Sequence, residues 1–255
     1  MSFSLYKRFK RCEAETMAYL NGEIREQEKT NKALLVGNYL HTYFESQIAH
    51  ENFVKEHETE LISKRGSTKG NLKREYQQAD EMIKALERQK LFNGVYKGQK
   101  EVILTGSLFG MKWKVRIDCL HVPQNEKDIP YFCDLKTSRD LHGRFFDTKT
   151  KTWHSFINAF SYDLQMAIYQ EIIKQNYRMK FTPFIFGVSK QEIPEVRAIQ
   201  LTSNELQNAL EELKQDMPHI KRLIYQEEEP KNCGKCDYCK QHEQLKCFIT
   251  ADKLL

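Results

Sequence analysis

The chain has 255 residues with a formal net charge of +5, and 40% of its residues are hydrophobic and 29% charged. This composition excludes disordered and fibrous proteins and permits a large core without covalent staples. No run is apolar for long enough to cross a membrane, and the first residues lack the apolar centre of a secretion signal. We therefore expect a cytoplasmic protein without a membrane partner, in which the seven cysteines stay reduced.

The N-terminal third of the chain predicts helices. Apolar residues at helical spacing predict one helix over 3–20, which Gly22 would end. A second helical pattern runs over about 31–57. A third covers 71–90, after a basic, glycine-containing loop.

The middle of the chain predicts strands. The stretch KEVILTGSLFGMKWKVRIDCL predicts a β-hairpin that turns near Ser107–Gly110, and DIPYFCDLKTS predicts a third strand. A helix over 159–177, two further strands and a long polar helix over 203–226 complete the order. This order predicts one α/β domain over 1–255 with a mixed central sheet flanked by helices. Its parts are a helical region over 1–92, a sheet and helix over 93–202, and a helix with a cysteine-rich tail over 203–255.

The second strand of the hairpin has two different faces. Apolar residues of 111–120 alternate with Lys112, Lys114, Arg116 and Asp118, so the charged set shares one face. A solvated sheet face and a functional site both fit this strand when it is considered alone.

The next strand favours a functional site. Asp134 and Lys136 share one face of it, and strand pairing would place them beside Asp118. Neighbouring carboxylates destabilise a fold unless a cation compensates them, and Mg²⁺ is held by one or two carboxylates with water and phosphate. A lysine there can position water and stabilise charge on a phosphoryl group.

Asp118 followed by the D-x-K of Asp134 and Lys136 resembles the core motif of the PD-(D/E)XK nuclease superfamily, whose fold has a restriction-endonuclease-like core. Further features are similar to its RecB-type branch. The G-x-x-x-H of Gly37 and His41 resembles a helix that supplies a metal ligand. The resemblance implies that the catalytic residues are Asp118, Asp134 and Lys136. It implies that the ligands of Mg²⁺ or Mn²⁺ are His41, Asp118, Asp134, the Leu135 carbonyl and, with weaker support, Glu101.

Gln165 and Tyr169 resemble the Q-x-x-x-Y motif of the same branch and would act in DNA binding, although an ordinary amphipathic helix also fits them. Over nearly the whole chain the pattern is similar to phage exonucleases of the RecE type. That resemblance implies 5′-to-3′ digestion of double-stranded DNA ends in recombination, a single-strand annealing partner and a ring-like homo-oligomer. An endonuclease, a strand-processing nuclease of the iron–sulfur kind and an inactive DNA-binding module are the alternatives.

Basic residues offer two candidate DNA contacts. Lys64 and Arg65 lie in the glycine-containing loop, where a solvated loop is an equally good interpretation. Lys114 and Arg116 lie nearer the predicted metal site and are the better candidates for the DNA backbone.

The C-terminal region contains Cys233, Cys236 and Cys239 in a C-x-x-C-x-x-C run, which is typical of a soft-metal site. Either Cys12 or Cys247 would be the fourth ligand. Several RecB-type nucleases hold a 4Fe–4S cluster with one early and three late cysteines, and the pattern is similar here. Zinc is the alternative occupant, and an exposed reduced tail without metal is the less favoured interpretation.

Overall fold

A computed structural model describes residues 1–24, 32–147 and 151–244, together with Phe248 and Thr250. Its contacts divide the chain into two compact units. One unit comprises Met1–Gln27 with Lys214–Leu255, and the other comprises Glu28–Leu213. The single domain over 1–255 stays a prediction, because compactness does not decide whether the two units fold separately.

The first unit begins with two helices where the sequence predicts one. Helix α1 spans Phe3–Arg11 and α2 spans Glu13–Leu20. They separate at Cys12, whose backbone is extended and whose Sγ accepts a hydrogen bond from the Glu15 N–H. The prediction of one continuous helix is wrong because an apolar stripe does not reveal a side chain that caps a new helix.

The second unit opens with helices that also break at a cap. The pattern predicted over 31–57 forms α3, Lys32–Glu45, and α4, Gln47–Glu56, because Ser46 caps α4 through the Ala49 N–H; residue 31 itself lies outside the described residues. Three further helices follow: α5, Glu58–Leu61; α6, Arg74–Glu87; and α7, Lys90–Val95.

The central sheet is mixed, as predicted. Its strands have the order β1-β2-β3-β6-β7, with β3 and β6 parallel and the other neighbours antiparallel. The strands are β1, Gln99–Leu108; β2, Met111–His121; β3, Tyr131–Ser138; β6, Thr182–Ser189; and β7, Val196–Gln200.

The connection between β3 and β6 contains a small hairpin that the sequence did not predict. It is formed by β4, Phe145–Asp147, and β5, Thr152–His154, and is followed by α8, Phe156–Ala159, and α9, Tyr162–Tyr177. The predicted helix over 203–226 is α10, Ser203–Ile224. A short helix α11, Asp237–Gln241, lies within the cysteine-rich tail.

Helices pack on both faces of the sheet. Helices α3 and α6 cover the face of β3 that carries Cys133 and Leu135, within one buried cluster. Helix α9 covers the opposite face and approaches β1 closely at Gly106, where an added Cβ would lie 2.7 Å from Cδ1 of Ile172. No helix in the described part of the chain is long and apolar enough to cross a membrane.

Candidate active site and cysteine centre

Side chains from α3, β1 and β2 converge in the second unit. The ligand atoms of His41, Glu101 and Asp118 all lie within 4.8 Å of one another, a spacing that one metal ion can bridge. The sequence predicted His41 and Asp118 from motifs and gave Glu101 weaker support. The structure brings Glu101 fully into the cluster.

Glu101 reaches the cluster through an unusual backbone conformation. Its φ is 51°, in the left-handed region that residues other than glycine rarely adopt. The β1–β2 ladder pairs Lys100 with Cys119 and Val102 with Ile117, so Glu101 lies opposite Asp118 at a rung that is missing. Oε2 of Glu101 lies 2.9 Å from Nε of Arg116. The strained backbone therefore holds two carboxylates together at a position where regular pairing is interrupted.

Asp118 lies where β2 separates from β3. The β2–β3 ladder ends at the pair Cys119–Cys133, and the Leu135 N–H donates instead to Oδ2 of Asp118 over 2.7 Å. Nδ1 of His41 lies 3.3 Å from the same oxygen. The backbone of Leu135, whose carbonyl is a predicted ligand, therefore lies beside Asp118.

Asp134 and Lys136 form a buried pair beside this cluster. Nζ of Lys136 lies 2.6 Å from Oδ2 of Asp134. Asp134 is only 1% exposed to solvent. Nε2 of Gln165 donates to Oδ1 of Asp134 at 3.4 Å and to the Tyr169 hydroxyl at 2.9 Å. The structure therefore places Gln165 and Tyr169 as buried supports of Asp134, and their contact with DNA stays a prediction.

The pKa values show how unfavourable this carboxylate cluster is without a cation. Burial, reinforced by Asp118, raises the pKa of Glu101 from its ordinary 4.5 to about 7. Burial raises the pKa of Asp134 to about 6 in spite of Lys136, and it also raises the pKa of Asp118. Burial and the charge of Lys136 lower the pKa of His41 to about 4, so its imidazole is neutral and able to bind a metal at pH 7.

Two carboxylate oxygens, one in the cluster and one beside it, test whether a divalent cation fits. Oε2 of Glu101 and Oδ2 of Asp134 are buried, and within the described residues neither makes a hydrogen bond of ordinary geometry, although each lies near a cation. Carboxylate oxygens and a neutral imidazole are suitable ligands for Mg²⁺ or Mn²⁺. The donor set therefore fits the metal that the resemblance implies.

We expect Glu101 to make the metal-free protein less stable as the pH rises. A carboxyl whose pKa is raised on folding contributes stability that is present below about pH 4.5 and lost as the pH passes about 7. The melting temperature in EDTA, measured for wild type and Glu101→Gln across this range, should show wild type falling relative to the variant. Mg²⁺ or Mn²⁺ should stabilise wild type most at the high-pH end. A constant difference between the proteins would contradict this assignment.

We expect His41→Ala to weaken metal binding by at least about 10- to 100-fold, because the loss of residues that merely support metal ligands already has an effect of this size. Binding of DNA in EDTA should stay near the wild-type level, because a neutral imidazole contributes no phosphate contact. Titration calorimetry with Mn²⁺ measures the first quantity and fluorescence anisotropy the second. His57→Ala is the matched control, since His57 lies at the end of α4. Unchanged Mn²⁺ affinity in His41→Ala would remove His41 from the ligand set.

The predicted DNA-contacting residues lie in two places. Lys114 and Arg116 are exposed on β2, on the face that also carries Asp118. Lys64 and Arg65 are exposed in the turn between α5 and α6, which is closed by the bridge between Ile62 and Leu72. The first pair is therefore connected to the metal cluster by a single strand, and DNA binding by either pair stays a prediction.

Tyr162 was not predicted as a site residue, yet its ring centroid lies 4.8 Å from Nζ of Lys136. Burial raises the pKa of this tyrosine, so its hydroxyl stays protonated beside the lysine. The sequence did contain an indication of its position: Tyr162 precedes Gln165 by three residues and so shares its helix face.

The first unit gathers four cysteines at a second centre. The Sγ atoms of Cys12, Cys233, Cys236 and Cys239 all lie within 4.8 Å of one another. Individual separations are 3.5 Å for Cys12–Cys239, 3.7 Å for Cys12–Cys236 and 3.8 Å for Cys233–Cys239. The structure thus brings Cys12 to the C-x-x-C-x-x-C run, while Cys247 lies outside the described residues.

Backbone N–H groups surround these sulfurs. Sγ of Cys233 accepts from the N–H groups of Lys235 and Cys236, and these bonds lower the pKa of the Cys233 thiol to about 6. Sγ of Cys236 accepts from the Cys239 N–H at the start of α11. Such donors stabilise thiolates, the form in which cysteine binds metals. Four thiolates around tetrahedral Zn²⁺ would be roughly 3.8 Å apart, given Zn–S bonds of about 2.3 Å.

Comparison with known proteins places the chain in a family. Residues 2–242 match the model of a PDDEXK-like domain of unknown function, DUF3799. The crystal structure of a candidate exonuclease from Eubacterium rectale is similar, with a TM-score of 0.87 and 35% identity over 100% of this chain and 92% of that chain. The crystal structure of SSO0001 shares 13% identity over 89% of this chain and 90% of that chain, and its TM-score of 0.32 supports no argument. None of the curated proteins compared with the chain matches it.

The family and the similar structure confirm the fold and the nuclease superfamily that were predicted from the sequence. The mixed sheet flanked by helices is the PDDEXK-like fold that the D-x-K motif indicated. The acidic cluster and Lys136 lie where β2 and β3 of that fold separate. Since the family model spans nearly the whole chain, the protein belongs to this PDDEXK-like family.

Proposed function

We propose that the protein is a Mg²⁺- or Mn²⁺-dependent deoxyribonuclease that digests double-stranded DNA from its ends, in the 5′-to-3′ direction. The observation that carries this proposal is the convergence of His41, Glu101 and Asp118 beside the buried pair Asp134–Lys136. This set contains ligands for a metal and one protonated amine, which together suit hydrolysis of a phosphodiester. The name given to the similar Eubacterium rectale protein supports the exonuclease assignment.

His41, Glu101, Asp118, Asp134 and the Leu135 carbonyl are the residues that would hold the metal. When bound, the ion would supply Lewis acidity at the phosphate and lower the pKa of a water molecule. The protein contributes their position, because the missing β1–β2 rung and the end of the β2–β3 ladder fix two of the carboxylates.

Lys136 would act on the phosphate and on the attacking water. Attraction to Asp134 and Asp118 outweighs burial and raises the pKa of Lys136, so the amine is protonated throughout the physiological range. A protonated amine donates hydrogen bonds to phosphate oxygens and to water, and stabilises the charge that develops in the transition state. Gln165 and Tyr169 keep Asp134 in place, which in turn positions Lys136.

The decisive experiment compares linear with covalently closed circular duplex DNA in Mg²⁺, Mn²⁺ and EDTA. We expect digestion of linear DNA only, and only with a metal. Cleavage of circles would favour the endonuclease alternative, and binding without cleavage would favour an inactive DNA-binding module. Linear DNA labelled at the 5′ or 3′ end on one strand tests polarity, since 5′-to-3′ digestion releases the 5′ label first.

DNA binding should weaken with salt, and we expect Lys114→Ala to make this dependence less steep. On duplex DNA, each neutralised phosphate makes the slope of log K against log salt about 0.9 more negative. Losing one contact should therefore make the slope about 1 less negative. Anisotropy titrations in EDTA at several salt concentrations measure this slope. Lys64→Ala and Arg65→Ala are the comparison variants. If only they reduce the slope, the DNA backbone follows their turn instead of β2.

The cysteine centre tests the alternative of a strand-processing nuclease of the iron–sulfur kind. The sulfur separations suit one tetrahedral ion better than a 4Fe–4S cluster, which puts each thiolate on a different iron atom and so needs wider spacing. We therefore propose Zn²⁺ as its occupant. Protein purified without oxygen should contain zinc and be colourless, whereas iron, a brown colour and visible absorbance would support the alternative.

The resemblance to RecE-type exonucleases carries two further proposals, a ring-like homo-oligomer and a single-strand annealing partner. Sedimentation velocity tests the first, since a ring sediments as one species larger than the 30.3 kDa chain. Co-purification with a single-strand annealing protein tests the second.

A further inference from the structure

The hairpin of β4 and β5 presents two aromatic side chains to solvent. Phe146 and Trp153 face each other across the hairpin with ring centroids 5.1 Å apart. Phe146 is 50% exposed and Trp153 is 64% exposed. Large aromatic side chains normally gain stability by burial, so an exposed cross-strand pair is a candidate contact surface.

The end of this hairpin nearest the central sheet is packed against other residues of the second unit. Phe145, next to Phe146, points to the other side of the strand and packs on Phe160 with ring centroids 5.2 Å apart. Phe156 and Ile157, just beyond β5, are buried. The exposed pair therefore projects from a hairpin whose near end is packed against the protein. This packing limits the conformational entropy that the two side chains would lose on binding a partner.

The hairpin is also close in sequence and in contacts to the candidate active site. It lies in the connection between β3, which carries Lys136, and α9, which carries Gln165. Phe160 contacts Tyr162 with centroids 5.8 Å apart, and Tyr162 lies against the Lys136 amine. A continuous series of ring contacts thus runs from the inner side of the hairpin to the catalytic lysine.

The charges around the hairpin indicate its partner. Arg139, Arg144 and Lys151 lie close to the aromatic pair in sequence and are exposed. Aromatic faces that stack on bases, combined with cations that contact phosphates, are the features by which proteins bind unpaired nucleic acid strands. The exposed cations therefore favour a nucleic acid strand as the partner.

We propose that Phe146 and Trp153 form a stacking platform for an unpaired base of the DNA strand that enters the active site. This inference rests on the proposed nuclease function and adds a substrate feature to it. An unpaired nucleotide at the end of a duplex would stack on the platform while a phosphate farther along the same strand approaches Lys136.

Binding measurements in EDTA test the platform without cleavage. Fluorescence anisotropy would compare an oligothymidylate with an abasic oligonucleotide of equal length, which keeps the phosphates and lacks the bases. We expect Trp153→Ala and Phe146→Ala to weaken oligothymidylate binding by about 5- to 150-fold, the effect of losing one stacked base. Binding of the abasic strand should be unchanged. Trp153→Phe should retain most of the affinity, and Ile193→Ala, another exposed apolar residue, should retain all of it.

Intrinsic fluorescence provides an independent measurement. The chain has two tryptophans, and Trp113 is 1% exposed. Oligothymidylate should therefore quench the emission of wild-type protein through Trp153 and leave that of Trp153→Phe unchanged. The abasic strand should quench neither protein.

The outcomes separate this proposal from the nuclease assignment. Equal loss of affinity for both strands would show a charge or folding effect and overturn the platform. Unchanged DNA affinity with an altered sedimentation coefficient in Trp153→Ala would show that the pair binds another copy of the chain, and would also overturn it. In either case, wild-type digestion of linear DNA would leave the proposed function intact. Absence of both DNA binding and digestion in wild type would instead refute that function.

Discussion

Asp118→Asn and Asp134→Ala should each abolish metal-dependent DNA cleavage while leaving DNA binding in EDTA near the wild-type level. We expect a loss of more than about 100-fold in rate, because changes around a metal's ligands alone cost about 10- to 100-fold. Asp118→Asn is designed to preserve the fold, since the amide oxygen can still accept the Leu135 N–H. Single-turnover digestion of end-labelled linear DNA measures the rate.

The control for these variants is Asp128→Ala, which removes a carboxylate that is paired with His121 before β3. It should cleave DNA at the wild-type rate. Lys136→Ala should also be inactive but should still bind Mn²⁺, because the lysine contributes no ligand. Near-normal turnover in Asp134→Ala would mean that the active site lies elsewhere.

Cys12→Ser should lower metal content and thermal stability as much as Cys236→Ser does, although Cys12 lies more than two hundred residues away in sequence. Metal binding at a site that joins distant segments contributes directly to folding. Removal of a native disulfide, which also joins distant segments, lowers the free energy of unfolding by about 2–5 kcal/mol. A loss of this size corresponds to a fall in Tm of about 4–20 °C for a chain of this length. Metal analysis and differential scanning calorimetry of anaerobically purified protein measure the two effects.

Cys133→Ser is the matched control, because Cys133 is a buried thiol of the central sheet outside the four-cysteine centre. Its metal content should equal that of wild type, whatever its effect on stability. A wild-type preparation with neither zinc nor iron would show that the four thiols form no metal centre. Retention of full metal content by Cys12→Ser would assign the fourth ligand to another residue.

The strands and the central motif could be predicted because their signals are local. Alternation over 111–120 and the D-x-K spacing specify faces and neighbours within a few residues. The breaks at Cys12 and Ser46 could not be predicted, since each is a capping side chain within a continuous helical pattern. The β4–β5 hairpin was missed because strands of three residues are too short to show a period.

The site itself was predictable only where a motif identified a residue. His41, Asp118, Asp134 and Lys136 each belong to such a motif. Glu101 received weak support because its position depends on a left-handed backbone and a missing rung, neither of which has a sequence signature for glutamate. The involvement of Cys12 depended on a contact between distant segments, which spacing alone could not distinguish from the choice of Cys247.

The backbone of Glu101 implies a conflict between selection for stability and selection for activity. Glycine adopts a φ of 51° without strain and brings no buried carboxylate, so a chain selected for stability alone would carry glycine there. Glutamate at this position costs free energy twice, once in the backbone and once through its charge beside Asp118. Engineering that ranks substitutions by folding stability would therefore choose Glu101 for replacement and would thereby remove a metal ligand.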